Sequence, residues 1–188
     1  MRTLTLLICL LAPAVALAQD KPAAVVPGPA NPFSTWNKTA YAAVKHILLS
    51  SAEKMPEESY KFKPADTVRS YGQILGHLAD SQYYFCSVAL GEKNPAPKIE
   101  QTKTSKADLI AALKDAFAYC DKAYDGMTDA SGTQMVKLFG TEDTPKLSVL
   151  TVNQMRNLEH YGNLVTYMRM KNIVPPTSEP TSQPQPKK

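Results

Sequence analysis

Cysteine and glycine are scarce in this 188-residue sequence, and their scarcity excludes several kinds of site. Three cysteines are present, and one of them, Cys9, lies in an apolar run near the N-terminus. No Cys-x-x-Cys pair occurs, which removes the usual zinc-ribbon and dithiol patterns. The 8 glycines form neither a phosphate-binding loop nor a Gly-x-Ser-x-Gly elbow. Only 3 histidines, His46, His77 and His160, are available for imidazole chemistry. No apolar run reaches the ~20 residues that a membrane-spanning helix needs. Lys and Arg number 21 against 17 Asp and Glu, but they are interspersed and form no dense block. Nucleic acid demands a clustered basic face, so no nucleic-acid partner is expected. There is no internal repeat and no convincing strand alternation.

The chain ends read differently from its middle. Met1–Ala18 has a basic Arg2, the short apolar stretch Leu4–Leu11, and Ala16-Leu17-Ala18 where a signal peptidase wants small residues. This predicts a signal peptide cleaved before Gln19 and an exported, periplasmic or extracellular protein with no membrane insertion after cleavage. Such a compartment permits disulfides. Gln19–Pro32 is an extended Ala-, Pro- and Val-rich lead-in. Residues 175–188, "PPTSEPTSQPQPKK", lack large apolar side chains, and their composition predicts a disordered tail.

Residues 33–174 carry four helical patterns. The first, about Phe33–Lys54, presents Phe33, Trp36, Ala40, Ala43, Val44, Ile47 and Ser51 at 3.6-residue spacing, and Pro56 ends it. In the link that follows, Tyr60 and Phe62 are expected to pack across the bundle end. The second helix, about Ser70–Leu90, opens with Ser70 and Gln73 at capping-box spacing and meets Gly91 at its C-terminal end. The third, about Ser105–Tyr124, directs Leu109, Leu113, Phe117 and Cys120 inward. A long connection over 126–146 precedes the fourth helix. There, Val149, Val152, Met155, Leu158, Leu164, Val165, Tyr167 and Met168 form an apolar surface. Positions 156, 160, 163 and 167 form a polar row beside it. Gly162 suggests a close helix approach. Four amphipathic helices of this length predict an all-α four-helix bundle.

"SYGQILGHLADSQYYFC", followed by "EHYGNLVTYMRMKNIVPP" on the last helix, resembles the DinB-like family over about residues 33–176. The resemblance implies an up-down-down-up bundle. It also implies a divalent metal held by three histidines, one on the second helix and two spaced four apart on the fourth. Family activities include metal-dependent hydrolysis and thiol-dependent transfer or isomerisation. His77 and His160 match two ligands, but the third position holds Arg156. A guanidinium has no lone pair to donate and stays charged. At ~5 Å and an effective dielectric of ~20 it would repel a divalent cation by ~6–7 kcal/mol before solvent relaxation. Zn²⁺ or Ni²⁺ is therefore expected to bind weakly. The alternative is a non-catalytic bundle in which Arg156, His77 and His160 hold a small anionic molecule, with Asp80 and Asn163 nearby. An antiparallel pairing of the second and fourth helices also allows an Arg156–Asp80 salt bridge. His46 is a partly exposed candidate for the missing ligand. The family topology makes Cys86 and Cys120 neighbours, which predicts a disulfide. A homodimer is a further expectation.

Overall fold

The computed structural model describes residues 26–95 and 97–180. The signal-peptide expectation for 1–18 lies outside these residues, as do the first half of the lead-in and the end of the tail. Among the described residues, ten elements run from Pro32 onward. Long helices α1 (Pro32–Lys54), α2 (Tyr71–Leu90), α4 (Lys106–Gly126) and α6 (Lys146–Met170) form the bundle. Short helices α3 (Ile99–Thr102) and α5 (Asp129–Gly132) and a hairpin of β1 (Met135–Leu138) and β2 (Glu142–Pro145) fill the connections. Two 3-10 turns, Glu57–Ser59 and Pro176–Ser178, complete the set.

Local signals set the helix ends. Ser70 accepts from the backbone of Gln73, whose side chain accepts from the Ser70 N–H, closing a capping box. Gly91 stops α2 at φ +74°, a left-handed conformation that costs glycine little. Ser105 caps α4 through the Asp108 N–H.

Hydrogen bonds between helices give their directions. Tyr41 and Lys45 meet Asp121 while Lys106 meets the Met55 carbonyl, so α1 and α4 run antiparallel. Gly72 lies beside Leu109 and Cys86 beside Cys120, so α2 and α4 run parallel. Gln82 bonds Asn157 and Arg69 accepts from Tyr167, so α2 and α6 are antiparallel. The bundle is up-down-down-up. Fully buried Leu48, Leu75, Leu78, Leu113, Phe117, Leu150 and Leu164 form the centre of its core. Each buried side chain of this size stabilises by about 1.5–3 kcal/mol.

Two helices are rotated relative to their apolar pattern. On α1, Phe33 and Trp36 are 70% and 72% exposed, and Ser34, Asn37 and Tyr41 turn inward instead. Each inward polar group has a partner: Asn37 donates to Thr151 and accepts from Gln154, and Tyr41 donates to the Phe117 carbonyl and stacks on Tyr124. On α6, Met155 and Leu158 are exposed, whereas Asn153, Gln154 and Asn157 are buried. Fully buried Gln82 donates to Asn157 and accepts from Asn153, forming a polar layer through the core. Each of these groups makes at least one bond within the core, while Asn153 Oδ1 and Asn157 Nδ2 are buried with no partner among the described residues.

The connections depart from expectation in three further places. The 126–146 link contains the β hairpin, with Leu138 paired to Glu142 and Met135 to Pro145. Within the expected tail, Pro175 is buried, and the following turn docks through Thr177 against Tyr161 and through Ser178 against Arg169. An apolar-poor segment can order in this way because its hydroxyls meet polar groups already fixed on α6. Nothing lies within 4 Å of a Cβ added at Gly162, so no helix approaches there. Tyr60 and Phe62 do pack at the bundle end, against Tyr71 and Tyr167.

Candidate functional site

The site begins at Gly76. A Cβ there would stand 2.7 Å from the Glu100 Cα and 2.9 Å from its N, so only glycine lets the α3 backbone lie on α2. Asp80, one turn further along α2, fastens that backbone by accepting from the Ile99 and Glu100 N–H groups at 2.8 and 3.0 Å. These contacts deliver Glu100 to His77. Glu100 Oε2 lies 3.2 Å from His77 Nδ1, and Oε1 accepts from Arg69 Nε at 2.8 Å. Arg69 is held in turn by its own carbonyl, which accepts from Tyr167 at 2.8 Å.

His160 reaches the same place from α6. Its ring stands edge-on to His77, with centroids 4.9 Å apart. Its Nδ1 is buried and has no hydrogen-bond partner among the described residues. Burial first, and then neighbouring His77, lower the pKa of His160, with Arg69 and Arg156 adding to the effect and Glu159 opposing it. The balance of these effects favours the uncharged imidazole.

His77, Asp80, Arg156 and His160 all line one open cleft of about 980 Å³. Arg69, Lys98, Glu100, Glu159 and the aromatic residues Tyr84, Phe85 and Phe139 complete much of its wall. The expected Arg156–Asp80 salt bridge is absent. Arg156 pairs with Glu159, three residues along its own helix, at 2.9 Å, and both Asp80 oxygens serve the α3 backbone. Asn163 lines an adjoining groove with Lys63, Asp66 and Tyr167 rather than this cleft. His46 is exposed in a separate pocket with Lys38 and Asp121, and it supplies nothing here.

The donor set does not fit a three-ligand metal centre. Two imidazoles converge, but the nearby carboxylate of Glu100 is engaged by Arg69 and His77, and the third family position is the cation Arg156. Among the described residues, no three His, Cys, Asp or Glu side chains are grouped to hold a metal ion.

Glu100, Arg69, Lys98 and Phe139 were not among the residues singled out from sequence. One signal could have pointed to Glu100. A lone glycine inside a strong helical pattern, next to a histidine, marks a close backbone approach. Cys86 and Cys120 come together at the heart of the bundle with their Cα atoms 5.3 Å apart, within the range a disulfide needs.

Comparison with known proteins agrees with this architecture. A family profile described as the DinB superfamily matches residues 40–162. The uncharacterized protein YjoA of Bacillus subtilis (strain 168) is 26% identical over 128 residues, which is 66% of this chain and 82% of that protein. The crystal structure of a DinB-like protein from Bacillus cereus ATCC 10987 superposes with a TM-score of 0.66 at 16% identity, covering 74% of this chain and 93% of that one. The mycothiol-dependent maleylpyruvate isomerase superposes with a TM-score of 0.57 at 14% identity, covering 70% of this chain and 59% of that one. At these identities the superpositions speak for the fold alone.

Proposed function

Given that the chain belongs to the DinB superfamily, we propose that it is an exported member whose cleft takes a small organic anion in place of a tightly held divalent metal. One observation carries the reading: the position that would complete a three-histidine set is Arg156, and it lines the same cleft as His77 and His160. A guanidinium there favours an anion and opposes a cation. His160, whose burial favours the uncharged imidazole, supplies an N–H donor, and Arg156, Arg69 and Lys98 supply the positive charge around it. Export rests on the sequence of Met1–Ala18 and gains support from the disulfide-compatible placement of Cys86 and Cys120.

A catalytic second reading, hydrolysis or thiol transfer, is favoured by the His77–Glu100 contact. A carboxylate on Nδ1 fixes the imidazole tautomer and leaves the other ring nitrogen free to accept a proton.

Titration calorimetry with Zn²⁺ and Ni²⁺ on the natural protein and on Arg156→His, together with thermal shift in carboxylates, tests the reading. We expect weak metal binding by the natural chain and at least tenfold tighter binding by the variant. Positions 156 and 160 lie one turn apart on the same side of α6. Carboxylates should raise the melting temperature of the natural protein. Tight, stoichiometric metal binding by the natural protein would overturn the proposal.

A further inference from the structure

The ligand class can be narrowed from the aromatic part of the cleft wall, an inference that rests on the anion reading above. Phe139 sits at the tip of the β1–β2 hairpin with φ +51°, a left-handed conformation that aromatic residues rarely adopt. Turn chemistry there would call for Asn or Gly. Core packing does not account for it, since Phe139 remains 54% exposed. Three contacts nevertheless hold the ring in one place. Its backbone N–H donates to the Tyr84 hydroxyl at 2.8 Å. The ring stacks on Tyr84 with centroids 5.7 Å apart and planes 13° apart, and it meets Phe85 edge-on at 6.2 Å. An exposed ring kept in a strained turn on the wall of a cleft is the kind of strain that collects at ligand clamps.

Lys98 repeats the pattern. It is one of only three non-glycine residues with positive φ among the described residues, at +52°, and it lines the same cleft. Its side chain forms no ion pair among the described residues, whereas Asp80, Glu100 and Glu159 are each engaged by other groups. Two of the three left-handed residues therefore face one cavity, one bringing a flat apolar surface and the other an uncommitted cation.

We propose that the cleft binds an aromatic carboxylate, its ring laid against Tyr84 and Phe139 and its carboxylate directed to Lys98 and the Arg156–His160 end. The volume agrees with this class. About 980 Å³ is far more than a bare oxyanion fills, and it lies in the range of sites for drug-sized molecules. Aromatic stacking adds to area burial and favours a flat ring over an alkyl chain.

Calorimetry on the full chain with four probes tests this: 4-phenylbutyrate, hexanoate, acetate and benzyl alcohol. The expected order is 4-phenylbutyrate at least tenfold tighter than acetate and several-fold tighter than hexanoate, with benzyl alcohol weakest. Phe139→Ala should remove that advantage and leave acetate unchanged, and Phe139→Tyr should restore it. Lys98→Gln should weaken all three acids and spare benzyl alcohol. If 4-phenylbutyrate binds no tighter than hexanoate, the aromatic inference falls and the anion reading stands. If benzyl alcohol binds as tightly as 4-phenylbutyrate, the anion reading falls as well. If none of the four binds, both are overturned.

Discussion

Reducing the proposed Cys86–Cys120 disulfide should lower stability by an amount the structure allows to be calculated. The two residues are separated by 34 positions and join the parallel helices α2 and α4. In the chain-entropy model, freeing a loop of this size restores about 3.8 kcal/mol of denatured-state entropy at 25 °C. Neither cysteine is exposed, and the Asn153 amide nitrogen lies 3.8 Å from each sulfur, so reduction leaves two thiols in a packed site and opens no large void. The rest of the core is untouched, and a domain of this size has about 5–15 kcal/mol to lose, so the reduced protein should remain folded. With a urea slope of about 2 kcal/mol/M, the midpoint should fall by about 2 M. Urea denaturation followed by circular dichroism, with and without dithiothreitol, measures the shift. A thiol titration of the denatured, unreduced protein reads the bond itself. Two free thiols in that titration would refute the disulfide. A confirmed disulfide with midpoints agreeing within about 0.3 M would refute the loop-entropy reasoning.

Three other outcomes follow from particular contacts. Gly76→Ala drives a Cβ into the Glu100 backbone, so it should destabilise the protein by about 1–3 kcal/mol in urea and weaken carboxylate binding by moving Glu100 from His77; an unchanged midpoint would mean that α3 does not lie on α2. Gln82→Ala strips partners from buried Asn153 and Asn157 and should cost about 2–4 kcal/mol, whereas a loss below about 1 kcal/mol would show that the polar layer is not formed. Asp129 binds the first turn of α1 through the Phe33 and Ser34 N–H groups. Burial alone would raise its pKa, but these hydrogen bonds outweigh it and lower the carboxyl below its usual value. Its contribution is therefore present above the unfolded pKa of about 3.9 and is lost as pH falls through that value toward the lower folded one. Asp129→Asn should lower the melting temperature at pH 7, and the gap from the natural protein should shrink below about pH 4; a gap constant down to pH 3 would refute the assignment.

The sequence by itself determined the bundle and the boundaries of its long helices. Ser70 with Gln73, Gly91 and Ser105 each act within about four residues of themselves, so their hydrogen bonds can be read along the chain before any packing exists. His77, His160 and Arg156 were legible as one site because helical spacing and the family resemblance both placed them together. The rotation of α1 and α6 was decided only by tertiary structure. An apolar pattern argues for burying Trp36, Met155 and Leu158, but Asn37, Asn153 and Asn157 turn inward because their partners arrive from other helices. Gln82 and Asn157 are 75 residues apart, and no local pattern records that pairing. Glu100 was hidden for the same reason. It reaches His77 across 23 residues only because Gly76 admits the α3 backbone and Asp80 fastens it there. Asp80 satisfies two backbone N–H groups at once, so it was never free to pair with Arg156, and the charge of Arg156 turns to Glu159 at the cleft's edge.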